Sequence, residues 1–161
     1  MDPNPINSPG LKSGAAVLFE DNHLIAVNKQ AGEIVQGDKT GDIPLSEKVA
    51  EYLRVKYQKP GDAFIGVIHR IDRPVSGVVL LARTSKALSR MNEQFRLRTI
   101  KKTYWALVEG KVEQEEGTLI HYLSKNEEKN TSRALKEPRD GYLRCELSFK
   151  VISVLDRYTL L

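Results

Sequence analysis

A chain of 161 residues and 18.2 kDa is long enough for one ordinary domain with a core of its own, and short for two. Hydrophobic residues at 40% and charged residues at 29% exclude a disordered chain, and no apolar run approaches the ~18 residues that a membrane-spanning helix needs. Cys145 is the one cysteine, so there is no internal disulfide, and His23, His69 and His121 match no metal-ligand spacing. With no apolar signal-peptide core before Gly14, these features predict a soluble, cytoplasmic protein without a structural metal.

In chain order, residues 1–14 carry Pro3, Pro5, Pro9, Gly10 and Gly14 and read as a flexible arm. Phe19 to Asn22 leads into His23–Asn28, an apolar run of strand length. Asp42 is placed to cap a helix starting near Pro44, whose Leu45, Val49, Tyr52 and Leu53 fall on one face. Lys59-Pro60-Gly61-Asp62 breaks that helix. Gly77–Ala82 is an unbroken apolar run, as in a strand covered on both faces. Arg83 to about Lys101 is helical, with Ala87, Leu88, Met91 and Phe95 as its buried stripe. Thr103–Gly110 reads as a strand, and Ser124–Gly141 as a long loop or hairpin extension. Leu143, Cys145, Leu147, Phe149 and Val151 alternate with polar residues, which predicts a half-buried strand with Cys145 packed on its apolar face. After a turn at Asp156-Arg157, Tyr158–Leu161 looks like a strand that begins without a continuation to bury against. On that ground the chain reads as a fragment.

Charge is concentrated. The formal net charge is +4, but between His69 and Lys102 nine basic residues face two acidic ones, for a local +7. The basic residues are Arg70, Arg73, Arg83, Lys86, Arg90, Arg96, Arg98, Lys101 and Lys102; the acidic ones are Asp72 and Glu93. Such a segment suits a polyanion, above all nucleic acid. A solvated helix face fits the same count.

The chemistry-bearing stretch is His69-Arg70-Ile71-Asp72-Arg73-Pro74-Val75-Ser76-Gly77, which leads straight into the apolar run. A carboxylate between two guanidiniums, on a turn beside rigid structure, suits an ionised nucleophile. It suits a structural ion-paired turn equally well.

This stretch resembles the signature of RluA-type RNA pseudouridine synthases: His-Arg-Leu-Asp, two variable positions, Ser/Thr-Ser-Gly, then an apolar strand. Ile71 replaces Leu, and Val75 replaces a hydroxyl-bearing residue. Phe19–Gly32, ending in Lys29-Gln30-Ala31-Gly32, resembles the family's opening strand and Lys-x-x-Gly turn. Lys101–Gly110 resembles its Lys-x-Tyr-x-Ala-x-Val-x-Gly strand. The resemblance implies an α+β pseudouridine synthase catalytic domain over residues 15–161, a mixed and mainly antiparallel sheet flanked by helices. It implies that the C-terminal part is missing, because the family's Gly-Arg-x-His-Gln-Ile-Arg motif would follow Leu161, and that no S4 domain precedes it. For function it implies an isomerase of uridines in ribosomal or transfer RNA, which this chain alone would leave inactive.

Roles follow residue by residue. Asp72 matches the catalytic aspartate, which either attacks the anomeric carbon or removes a ribose proton. Tyr104 matches the active-site tyrosine, although composition alone would favour a core residue. Arg70 matches the residue that fills the gap left by the flipped nucleotide, and with it Arg73 and His69 are expected to bind substrate, His69 through a structural hydrogen bond rather than a catalytic role. The remaining basic residues, Arg83, Lys86, Arg90, Arg96, Arg98, Lys101 and Lys102, would contact RNA. No cofactor or metal is implied, since the isomerisation exchanges neither electrons nor groups. The rival expectation is a binding-only RNA module.

Overall fold

The structure is a computed structural model that describes residues 15–126, 129 and 131–161; the predicted arm at 1–14 lies outside them. The chain divides into two compact units, Met1–Lys101 and Lys102–Leu161.

In the first unit, β1 (Ala16–Glu20), β2 (Leu24–Lys29), β3 (Gly66–Val67) and β4 (Gly77–Ala82) form a sheet in the order β1-β2-β4-β3, every pair antiparallel. Alternation along β2 and β4 supplies two apolar faces. Ile25, Val27, Val79 and Leu81 are buried in one cluster with Leu45, Val49, Tyr52 and Leu53 of α1 (Leu45–Lys56). Leu24, Leu80 and Ala82 share the other with Ala87, Leu88, Met91 and Phe95 of α2 (Ser85–Arg96). The two helices thus cover opposite faces of one sheet, which is why β4 reads as continuously apolar. Val78, at the start of β4, is the exception at 58% exposed.

Local signals differ from expectation at two helix starts. Thr84 caps α2, accepting a hydrogen bond from Ala87 N–H at 3.1 Å. α1 begins after Pro44 without a side-chain cap, so Asp42 is not the cap predicted for it. Both helices end alike: Gln58 and Arg98 take positive φ of 48° and 56°. There Gln58 N–H reaches Val55 O and Lys59 N–H reaches Arg54 O, while Arg98 N–H reaches Phe95 O and Thr99 N–H reaches Gln94 O. This is the left-handed helix stop that glycine usually makes.

In the second unit, β6 (Glu116–Asn126) pairs with β7 (Thr131–Leu135) and β8 (Leu143–Lys150), so the predicted extension is a hairpin. A second sheet holds β5 (Leu107–Glu109), β10 (Tyr158–Leu160) and β9 (Ser153–Val154), with β10 in the centre. The closing strand therefore has partners. They lie upstream in the chain, and Thr159 is fully buried, its hydroxyl donating to Gly110 O at 2.8 Å and accepting from Val112 N–H at 3.1 Å. The predicted strand at 103–110 shortens to β5, extended by reciprocal backbone bonds between Ala106 and Leu161. β8 forms where predicted, but its apolar face is open: Leu143 and Leu147 are exposed, and Cys145 is exposed rather than packed. Among the described residues no helix is long and apolar enough to cross a membrane.

Candidate active site

Asp72 sits on the turn between β3 and β4, and the turn is fixed from several sides. Ile71 packs against the α1-facing core, which leaves the next side chain, Asp72, facing solvent. Val75 N–H closes the turn on Asp72 O at 3.0 Å. Gly77 leaves it with φ at +142°, a conformation that L side chains rarely adopt, so the Ser-Gly step needs its glycine.

The backbone of Arg73 is held by the β2 end. Its carbonyl accepts from Gly32 N–H at 2.8 Å and from the Lys29 ammonium at 3.2 Å. Lys29 is fully buried and also donates to Glu33 O at 2.7 Å and Gln30 O at 3.1 Å. Burial pulls its pKa below the ordinary lysine value. Three carbonyls replace the water that such a cation loses, so Lys29 ties the Asp72 turn to the Lys-x-x-Gly turn. Its structural role was missed in the sequence, although the signal was there: in Ile25, Val27, Lys29 the period of two carries the lysine onto the core face.

Around Asp72 the predicted residues take different roles. The Asp72 carboxylate and the Arg70 guanidinium are exposed, and neither has a hydrogen-bond or ion-pair partner among the described residues. Arg73 pairs its guanidinium with Asp42, at 2.6 Å, and not with Asp72. The expected Arg–Asp–Arg ion-paired turn therefore does not form, and the carboxylate remains open to a substrate. His69 Nε2 accepts from Leu80 N–H at 3.0 Å, continuing the β3–β4 ladder with a side chain. Its ring stacks on Phe95 at 5.4 Å, which fits the expected structural hydrogen bond.

The basic segment does not act as one face. Arg83, expected to contact RNA, is 10% exposed and paired with Glu20 at 3.0 Å. It also donates to Asp21 O and lies over the Tyr57 ring at 4.9 Å. Glu20 further accepts from Lys56 (2.8 Å), Tyr57 (2.6 Å) and Tyr52 (3.1 Å). Burial opposes its ionisation, but these hydrogen bonds outweigh it and hold its carboxyl below the usual glutamate value. Arg96 pairs with Glu93 one turn away at 2.5 Å. Lys86 and Arg90 on α2, then Arg98, Lys101 and Lys102, are exposed cations without an ion pair among the described residues.

Tyr104 belongs to the second unit, where it is 58% exposed just before β5, beside Trp105 at 81%. It is not a core residue. Among the described residues no group of three His, Cys, Asp or Glu side chains is placed to hold a metal ion.

The architecture is similar to that of two solved structures. Human RNA Pseudouridylate Synthase Domain Containing 4 superimposes with a TM-score of 0.72 at 18% identity, over 89% of this chain and 56% of that one. Human RNA Pseudouridylate Synthase Domain Containing 1 gives 0.67 at 19% identity, over 96% and 60%. Residues 23–161 match the RNA pseudouridylate synthase family, and the chain belongs to it. Among curated proteins, ribosomal large subunit pseudouridine synthase C of Yersinia pestis is 35% identical over 144 residues, 89% of this chain and 43% of the relative. The Escherichia coli K12 protein of the same name is 34% identical over 148 residues, 89% and 44% respectively. The chain thus spans less than half the length of these relatives.

Proposed function

We propose that this chain carries the catalytic aspartate of an RNA pseudouridine synthase that isomerises uridine in ribosomal RNA. The observation that supports this most is the state of Asp72: an exposed carboxylate on a turn held by Ile71, Lys29 and Gly32, with Arg73 paired to Asp42 and Arg70 left unpaired. A reacting group needs that combination of rigid backbone and open side chain. The carboxylate serves either as nucleophile at the anomeric carbon, as in retaining glycosidases, or as base toward the ribose. Arg70, unpaired and exposed two residues away, is suited to stack in the space of an extruded nucleotide. Tyr104, at the position that matches the family's active-site tyrosine, presents an exposed ring of the kind that stacks on a base. The reaction needs no electron acceptor and no second group, so side chains suffice. Ribosomal rather than transfer RNA is favoured by the names of the curated relatives.

The test is release of tritium from 5-tritiated uridine in unmodified ribosomal RNA, using the longest form that the reading frame encodes. Activity that Asp72→Asn reduces below about 1%, with RNA binding kept within a few fold, is the expected result. Comparable turnover by the asparagine variant removes Asp72 from the central role.

A further inference from the structure

Residues 36–43 form an exposed loop between β2 and α1, with buried neighbours on each side: Ile34 and Val35 before it, Leu45 after it. Its base is closed by Leu45 N–H on Ile34 O at 2.8 Å and Ser46 N–H on Val35 O at 3.2 Å, the closed-end geometry of an Ω-type loop. Inside the loop, Thr40 gives its N–H (2.8 Å) and its hydroxyl to the Asp38 carboxylate. The Asp42 carboxylate, 3.4 Å from the same hydroxyl, reaches out to Arg73 at 2.6 Å, and the Arg73 charge also acts on Asp38. Among the described residues no other side-chain hydrogen bond or ion pair leaves this loop.

The Arg73 end of that pair is unusual. Its main chain is fixed at the carbonyl by Lys29 and Gly32, while its guanidinium remains 47% exposed, one residue from Asp72. It is a rigidly based, wet cation beside the proposed reaction centre, occupied by a carboxylate that is itself 51% exposed. An exposed pair of this kind is among the weakest of ion pairs. A guanidinium also binds phosphate oxygens through two parallel N–H bonds, as it does a carboxylate.

We infer that Arg73 is a phosphate-binding residue of the uridine site and that Asp42 occupies it until RNA arrives. Resting on the RNA-modifying reading above, the inference adds an internal competitor to it. A nucleotide whose ribose lies against Asp72 brings its flanking phosphates to the same turn. One phosphate displaces the carboxylate from Arg73, and the exchange frees the 36–43 loop from the Asp72 turn as substrate binds. The loop is then an element that RNA releases, rather than a passive linker.

A double-mutant cycle on RNA affinity tests this without relying on turnover. The probe is a fluorescein-labelled RNA hairpin with uridines in its loop, followed by anisotropy across a salt series. The proteins are wild type, Asp42→Asn, Arg73→Gln and the double variant, each checked for folding by circular dichroism. Asp42→Asn should tighten binding about two- to fivefold by removing the competitor. Arg73→Gln should weaken binding and lower the salt slope by about 0.7, one single-strand phosphate contact. In the Arg73→Gln background Asp42→Asn should change nothing, and with Arg73 intact Asp42→Glu, which keeps the competing carboxylate, should bind with wild-type affinity. Equal tightening by Asp42→Asn with and without Arg73 would mean a generic charge effect and overturn the exchange, as would no tightening at all. A wild type that binds the hairpin in a salt-dependent way while the variants behave additively sinks the exchange alone. A wild type that does not bind RNA sinks the RNA reading and the exchange with it.

Discussion

Arg83 offers a direct way to separate structural cations from RNA-binding ones. By position it belongs to the basic segment, but its side chain is 10% exposed, paired with Glu20 at 3.0 Å, and stacked at 4.9 Å over Tyr57. Arg83→Gln removes a charge-assisted hydrogen bond between groups shielded from water, about 1.5–3 kcal/mol. It also removes a cation–π contact worth about 0.5–1 kcal/mol. Glu20 is not orphaned, because Lys56 at 2.8 Å and the Tyr52 and Tyr57 hydroxyls remain, so the loss stays short of a fully broken buried pair. The expected cost is about 2–3 kcal/mol, a large part of an ordinary domain's stability. With a urea slope of about 2 kcal/mol/M, the midpoint should fall by about 1–1.5 M. The same variant, at a temperature where it remains folded, should bind RNA with an unchanged salt slope. An unaltered urea midpoint combined with a reduced salt slope would refute the structural assignment and return Arg83 to the RNA face.

Other expectations follow from the same geometry. Charge reversal at Lys86 and Arg90, both exposed and unpaired among the described residues, should flatten the salt dependence of RNA binding. The same change at Lys59, outside the basic segment, should leave it nearly unchanged, and equal effects would make the α2 face merely solvated. Arg98→Gly should raise stability by about 0.5–1 kcal/mol in urea melts, since φ of 56° strains any residue with a Cβ; a loss instead would mean that the arginine side chain stabilises the stop. Because the Glu20 carboxyl is held below its ordinary 4.5, its contribution is fully present above that value and drains away as pH falls through the lower folded value. Urea midpoints measured from about pH 6 to about pH 3 should fall more gently in Glu20→Gln than in wild type.

Sequence periodicity works best where an element buries one clear face. The α1 stripe Leu45, Val49, Tyr52, Leu53 is buried as spaced, and the unbroken run in β4 corresponds to helices on both faces of its sheet. It fails where burial and pattern part company. β1 was not legible because Leu18 and Phe19 are exposed on an edge strand whose register slips between Val17 and Phe19. Cys145 alternates correctly, yet the face it shares with Leu143 and Leu147 is open. The partners of β10 were invisible because pairing with β5 is a non-local choice that no local pattern encodes. At the candidate site, the motif located Asp72. The route by which Arg73 turns to Asp42 and Arg83 to Glu20 depends on residues 31 and 63 positions away, beyond the reach of spacing arguments.

The placement of β10 also sets an order of events during synthesis. The four strands of the first sheet and both helices are complete by Arg96, so that unit has all its partners soon after it leaves the ribosome. β5 does not. The hydroxyl that closes its end belongs to Thr159, 49 residues beyond Gly110, and at about 5–20 residues per second that is roughly 2–10 s of translation. For that interval Leu107 and Val108 wait as an unpaired edge while the β6–β7–β8 hairpins emerge between them and their partner. Such an edge is open to pairing with a neighbouring nascent chain. Codon usage or a chaperone acting between residues 110 and 158 would therefore bear on the yield of the second unit and leave the first untouched.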